Sequence, residues 1–402
     1  MSATSSPIRV LQSFPHKIGA ARICTTAWYQ AVGAAEAGAD VLVMPGAVQR
    51  ELPPEIRVRP TMARGRLRIP YKALGRMRAM QLHDRLVARA LPGLADQIDI
   101  IHTWPMGARE TLVAARRLGI PTVLERPNAH TRFAYEAVRD ECDRLGVALP
   151  ADHEHAYNAD ILRLEEEEYA LADRLLCPSE FVVQTFLDQG FESTQLVRHL
   201  YGYDETEFHP PAVPRRDEPG LTVLFVGVCA VRKGLHFALE AWLRSPASEH
   251  GKFLIAGEFL PDYAEKLADM LAHPSVEALG HRTDVPELMR RSDVLVLPSI
   301  EEGFGLVCVE ALGSGAVPMV SDACTDVCRH GENALVHRVG NVDALTTQFS
   351  ALHGDRELLA RLRAEALRTG PEYSWAKAGE RLVEVYEEVV ADLSSTAQRR
   401  AA

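Results

Sequence analysis

The chain has 402 residues, 47% hydrophobic and 25% charged, with a formal net charge of −11. That length and composition suit two or three domains with substantial apolar cores. The acidic balance argues against wholesale nucleic-acid binding, and no uninterrupted apolar run approaches the ~18 residues that span a bilayer.

The opening MSATSSPIRVLQSF lacks a basic region ahead of a long apolar core, so it does not read as a signal peptide. Short apolar runs then alternate with amphipathic helical stretches, which predicts parallel sheets covered by helices on both faces. In the first half the predicted strands are Ile8–Gln12, Asp40–Met44, Ile98–His102, Pro121–Glu125 and Arg174–Pro178. A turn, Ser13 to Gly19, follows the first strand. Between Glu55 and Ala90 ten basic residues (Arg57, Arg59, Arg64, Arg66, Arg68, Lys72, Arg76, Arg78, Arg85 and Arg89) face only Glu55 and Asp84. A solvated face, an anionic acceptor and peripheral contact with an anionic membrane through 57–89 are the readings of this stretch. His153 and His155, and the acidic run Glu165 to Glu168, read as solvated groups. The Pro-rich, charged segment Phe208 to Gly220 reads as a linker. It divides the chain into 1–209 and 210–377, with a last amphipathic helix from Trp375 through Leu393. In the second half the predicted strands are Leu221–Val226, Lys252–Ala256, Ser275–Leu279, Asp293–Leu297 and Val317–Ser321.

The most informative segment is Leu297 to Ser321, LPSIEEGFGLVCVEALGSGAVPMVS. A buried strand runs into an acidic glycine turn and then a helix. Glu302 sits in the turn, and Glu310, eight positions on, sits inside the helix. At the carboxyl edge of an open α/β sheet, such a turn lets backbone approach a ligand, and helix-start N–H groups favour anionic or hydroxyl-rich partners. A second segment, LTVLFVGVCAVRKGLHFALEAW, brings Arg232 and Lys233 to a strand's carboxyl end before a helix, an arrangement suited to a diphosphate.

The block Pro298-Ser299, Glu302-Gly303-Phe304-Gly305-Leu306, Glu310-Ala311, Gly315 and Pro318 resembles the E-x7-E signature of retaining GT-B glycosyltransferases, specifically glycosyltransferase family 4. The resemblance implies two Rossmann-like domains facing each other across a cleft: an acceptor domain (1–209) and a nucleotide-sugar donor domain (210–377). The C-terminal helix (about 378–402) would return to the first domain. It implies that Lys233, with Arg232 beside it, holds a donor pyrophosphate, and that Glu310 accepts the ribose hydroxyls. Glu302 would lie by the donor sugar, and the N–H groups of Gly303, Phe304, Gly305 and Leu306 would hold sugar hydroxyls or phosphate. His130, after the strand ending at Glu125, would touch the sugar, with Glu125, Arg126 and Asn128 as lesser candidates. Arg282, in the loop after Leu279, would line the nucleobase pocket, and Gly19 would lie near the phosphates. Two departures stand out. Val228 occupies a position where many members carry Arg, and the first turn has one glycine where many have two.

No Asp-x-Asp triplet occurs, and Cys324 and Cys328 lack a second pair at metal-finger spacing, so no metal cofactor is expected. Seven scattered cysteines suggest buried reduced thiols and a cytoplasmic protein, peripheral to the inner membrane face if 57–89 binds lipid. The expected activity is metal-independent, retaining transfer from a nucleoside-diphosphate sugar to a small-molecule, glycan or lipid-linked acceptor. The competing readings are a non-catalytic sugar-nucleotide-binding subunit and a nucleotide-sugar epimerase of the same fold.

Overall fold

The computed structural model describes residues 6–64, 67–68, 74–212 and 220–401. Arg66 and Lys72 of the basic stretch, and 213–219 of the linker, lie outside the described residues, as do the side chains of Arg64 and Arg68.

The described residues form fifteen strands, ten of them in the predicted order. In the first half the strands are β1 (Arg9–Ile18), β2 (Asp40–Val48), β3 (Arg57–Val58), a small antiparallel hairpin of β4 (Ala63–Arg64) and β5 (Leu67–Arg68), β6 (Ile100–Thr103), β7 (Thr122–Glu125), β8 (Arg174–Cys177) and β9 (Leu196–Arg198). Seven of these form a parallel sheet in the order β3-β2-β1-β6-β7-β8-β9. The second half supplies β10 (Thr222–Val226), β11 (Lys252–Ala256), β12 (Val276–Gly280), β13 (Val294–Leu297), β14 (Val317–Ser321) and β15 (Leu335–His337). They form a second parallel sheet in the order β12-β11-β10-β13-β14-β15. Helices shield both faces, which is why central strands such as β13, VLVL, are buried along their whole length. In each sheet the strand order reverses beside its first long strand, between β1 and β6 and between β10 and β13, and the crevice above that reversal is where such sheets bind ligands.

The helices of the first half are α1 (Ile23–Glu36), α2 (Arg76–Ala90), α3 (Arg109–Leu118), α4 (Thr131–Leu145), α5 (Ala159–Leu171) and α6 (Glu180–Leu187). Those of the second are α7 (Leu235–Arg244), α8 (Pro261–Lys266), α9 (Ala268–Leu271), α10 (Val285–Arg291), α11 (Leu306–Ser314), α12 (Val342–Gly354), α13 (Arg356–Thr369) and α14 (Trp375–Ala401). The last returns to the first sheet. Its Leu382, Val385, Tyr386 and Val389 join the core formed by α1 and β1, and Gly33 and Gly379 let the two helix backbones touch. Tyr29 and Trp375 stack there with ring centroids 5.0 Å apart.

Two expectations change. The first strand does not stop at Gln12: β1 pairs with β2 through Ile18 and absorbs an irregularity between Phe14 and Lys17, so most of the expected turn is strand. The acidic run is not simply a solvated face. Glu168 is buried and accepts the N–H groups of Met106 (2.7 Å), Ala108 (2.9 Å) and Arg109 (3.2 Å), satisfying the open start of α3. Glu165 is buried against Arg126 and Thr131.

Candidate active site

The site is built from two turns at neighbouring strand ends of the second sheet. After β10 the chain makes a short turn over Val231–Lys233 and passes through Gly234 at φ +64°. A Cβ there would lie 2.0 Å from the Pro298 carbonyl oxygen, so only glycine lets this turn lie against the end of β13. The backbone then locks, with the Ile300 N–H donating to the Arg232 carbonyl at 2.9 Å.

That contact sets two cations against two carboxylates. The Lys233 ammonium donates to Glu302 Oε2. Arg232 Nη1 lies 3.4 Å from Glu302 Oε1, 3.1 Å from Glu301 Oε2 and 2.7 Å from the Glu301 carbonyl oxygen. Burial alone would raise both carboxyls. Arg232 holds Glu301 down to about 2 with help from His155, and Arg232 and Lys233 keep Glu302 below its ordinary value.

Past Glu302, Gly303 and Gly305 bring the backbone round into α11. The N–H groups of Gly303, Phe304, Gly305 and Leu306 have no acceptor among the described residues, and no side chain caps α11. The Phe304 side chain is core, edge-on to Tyr201 at 5.4 Å, so only its backbone is available to a ligand. Glu310, the fifth residue of α11, is half-buried with no hydrogen-bond or ion-pair partner among the described residues. Burial pushes its carboxyl up to about 7. A carboxylate kept at that cost without a protein partner is poised for hydroxyl donors.

The first domain closes on this turn. Ser179 Oγ donates to the Gly303 carbonyl at 2.6 Å, and the Ala129 N–H donates to Glu301 Oε1 at 3.1 Å. A Cβ on Gly303 would lie 1.6 Å from the Pro127 carbonyl oxygen. The loop between α4 and α5 adds His155, whose Nε2 is 3.4 Å from Glu301 Oε2.

Lys233, Arg232, Glu302 and the 303–305 backbone therefore converge, and Glu310 follows on α11. Three other expected residues have protein surroundings of their own. His130 is 2% exposed; its ring packs edge-on against Tyr169 and Phe186, and its Nδ1 accepts the Arg132 N–H at the start of α4. The ring thus supports the start of α4, and burial lowers its pKa to about 3. Arg282 is exposed and held in a two-pronged ion pair with Asp284 (2.8 and 2.6 Å). Gly19 meets a packing demand: a Cβ would lie 2.3 Å from Arg50 Cβ. Val228, at the position where many members of the resembled family carry Arg, is partly exposed.

Sequence reasoning passed over Glu301 and His155. Glu301 was the unremarked half of a Glu-Glu pair, and His155 read as solvated although it is buried. Glu125 is a structural hub, buried and accepting from Tyr201 (2.7 Å) and Gln30 (2.8 Å), with His199 Nε2 at 2.8 Å. Among the described residues no group of three or more His, Cys, Asp or Glu side chains is placed to hold a metal ion, and no helix is long and apolar enough to cross a membrane.

Residues 220–355, which contain both turns, match the family model described as glycosyl transferases group 1. Among curated proteins, the chain is 29% identical over 124 residues to N,N'-diacetylbacillosaminyl-diphospho-undecaprenol alpha-1,3-N-acetylgalactosaminyltransferase of Campylobacter jejuni, covering 30% of this chain and 33% of that protein. Several other curated relatives are likewise spanned over only about a fifth to a half of their length. The match to glycogen synthase of Mycobacterium tuberculosis is longer: 30% identity over 298 residues, 72% of this chain and 68% of that one. Among solved structures, Anabaena Alr3699/HepE in complex with UDP-glucose superposes with a TM-score of 0.62 at 17% identity, over 94% of this chain and 99% of that one, a likeness of fold. The two facing parallel sheets are thus the GT-B arrangement. With a family model seated on the half that carries Lys233, Glu302 and Glu310, and a relative matched across both halves, this chain belongs to the group 1 glycosyl transferases.

Proposed function

We propose that the chain is a retaining, metal-independent glycosyltransferase that moves a sugar from a nucleoside-diphosphate sugar to a hydroxyl, or another nucleophile, of a small-molecule, glycan or lipid-linked acceptor. The observation that carries this reading is the set of contacts around Glu302: two cations at one strand end, N–H groups of the following turn with no acceptor among the described residues, and the Glu310 carboxylate, likewise without a partner among them, on the helix that follows. Lys233 and Arg232 take the diphosphate, Glu310 takes the ribose hydroxyls, Glu302 lies by the sugar, and the 303–306 backbone N–H groups take sugar hydroxyls or phosphate.

In the transfer, the bond from the anomeric carbon to the diphosphate oxygen breaks and the acceptor oxygen bonds to that carbon on the same face. The acceptor's proton passes to the departing diphosphate. Negative charge grows on the leaving group, and preorganised cations and N–H groups stabilise it without a metal. Lys233 is ion-paired with Glu302, so the diphosphate competes for its ammonium. Glu302, freed in part, then faces the cation-like anomeric carbon. A similar fold holding UDP-glucose supports a nucleotide-sugar donor, and seven free thiols support a reducing, cytoplasmic setting.

The test is donor turnover. Purified chain is incubated with UDP-, GDP-, ADP- and TDP-sugars, with and without candidate acceptors. Release of nucleoside diphosphate with retention at the anomeric carbon supports the reading. Nucleotide binding with no turnover across acceptors favours a binding subunit instead, and an isomerised donor favours an epimerase. A thermal-shift screen of the same nucleotides identifies the base by selective stabilisation.

A further inference from the structure

Two adjacent glutamates occupy the turn after β13, and the chemistry above uses only the second. Glu301 is fully buried where the domains meet. Three groups converge on its carboxylate: the Ala129 N–H (3.1 Å) from the loop after β7, His155 Nε2 (3.4 Å) from the loop between α4 and α5, and Arg232 Nη1 (3.1 Å) from the phosphate-side turn. The first two belong to the first-domain half of the chain and the third to the donor half. A buried carboxylate is tolerated only when its oxygens are paired. Glu301 reaches that condition in full only when the first domain is docked. The same carboxylate, with its own backbone carbonyl, fixes Arg232 Nη1.

We propose that Glu301 is a positioning residue that latches the first domain onto the donor domain and aims Arg232, so that the guanidinium is fully set for a donor diphosphate only when the cleft is closed. The kinetic half of this proposal rests on the glycosyl-transfer reading, whereas the latch itself does not. Glu301→Gln keeps an oxygen for the Ala129 N–H but loses the charge that faces Arg232 and His155. Glu301→Ala loses both.

The test has two readouts. Spin labels at Arg117→Cys and Glu357→Cys, exposed positions on α3 and α13, in a Cys24→Ser background report the inter-domain separation by pulsed dipolar spectroscopy. The unsubstituted latch should populate the separation of this structure, Glu301→Ala should lose most of that population, and Glu301→Gln should keep most of it. His155→Ala should fall between. In the kinetic readout both Glu301 variants should lower kcat about tenfold or more at saturating donor, with donor KM changed less than about threefold. A role in packing alone would lower thermal stability without that split in the folded enzyme. The latch is overturned if Glu301→Ala keeps the parental distance distribution, or if the parent never populates this separation. If the parent turns over no sugar nucleotide, the functional reading fails while the distances still decide the latch.

Discussion

Replacing Glu310 by Gln separates what this side chain costs the fold from what it gives a ligand. Burial raises its carboxyl from 4.5 to about 7, with no partner among the described residues to offset the charge. At ~1.4 kcal/mol for each unit, the ionised form costs the folded state about 3 kcal/mol as an upper figure. The sign follows from proton counting. Between pH 4.5 and 7 the folded chain holds a proton that the unfolded chain has lost, so this cost is absent below 4.5, grows as pH rises, and levels off above 7. Gln keeps the shape and never ionises. The variant should therefore match the parent near pH 4.5 and exceed it by up to about 3 kcal/mol at pH 8, a rise in Tm of roughly 6–12 °C for a domain of this size. Binding should move the other way. Hydrogen bonds from ribose hydroxyls to a charged acceptor are worth about 1.5–3 kcal/mol each, so the same change should weaken nucleoside-diphosphate binding about 10- to 100-fold at pH 8. In the parent, affinity should also climb between pH 6 and 8 as the carboxylate forms, whereas the variant should lack that slope. Differential scanning fluorimetry and titration calorimetry across this pH range read both effects. An unstabilised variant at pH 8, or an unchanged affinity and pH slope, would refute the reasoning.

Lys233→Ala and Glu302→Gln should each lower donor turnover by about 10²-fold or more, because each removes charge stabilisation beside the reacting bond; steady-state rates at saturating donor check this. Gly303→Ala should abolish turnover while the chain still folds, since its Cβ would meet the Pro127 carbonyl at 1.6 Å and prop the cleft open; activity and circular dichroism together distinguish this from misfolding. Gly379→Ala should destabilise the chain by about 1–3 kcal/mol in urea unfolding, because a Cβ there would lie 2.4 Å from the Gly33 backbone. If the stretch 57–89 meets an anionic acceptor or lipid, binding to anionic vesicles or acceptor KM should weaken as salt rises; a flat response would leave a solvated face.

The fold was legible because parallel strands buried on both faces announce themselves as short apolar runs, and all ten expected strands are present. β3, β9 and β15 escaped notice: two or three residues at a sheet margin carry no periodicity. At the site, the glycine spacing revealed both turns, because Gly234 and Gly303 are demanded by close backbone approach. What sequence could not give was the partner of each side chain. His130 stands after a strand end as expected, yet its ring turns into an aromatic core contributed by α5 and α6. Arg282 is claimed by its near neighbour Asp284. Glu301 and His155 are 146 positions apart, a pairing that only the docked domains create. Glu168 looked solvated within an acidic run because nothing local marked the open helix start that it caps.

The most direct test is a crystal structure of the chain with the nucleoside diphosphate that stabilises it best. The diphosphate is expected against the Lys233 amine and Arg232, displacing Glu302 from that amine, with both ribose hydroxyls on the Glu310 carboxylate. A nucleotide bound elsewhere, or bound here with Glu310 untouched and the Lys233–Glu302 pair intact, would contradict the account.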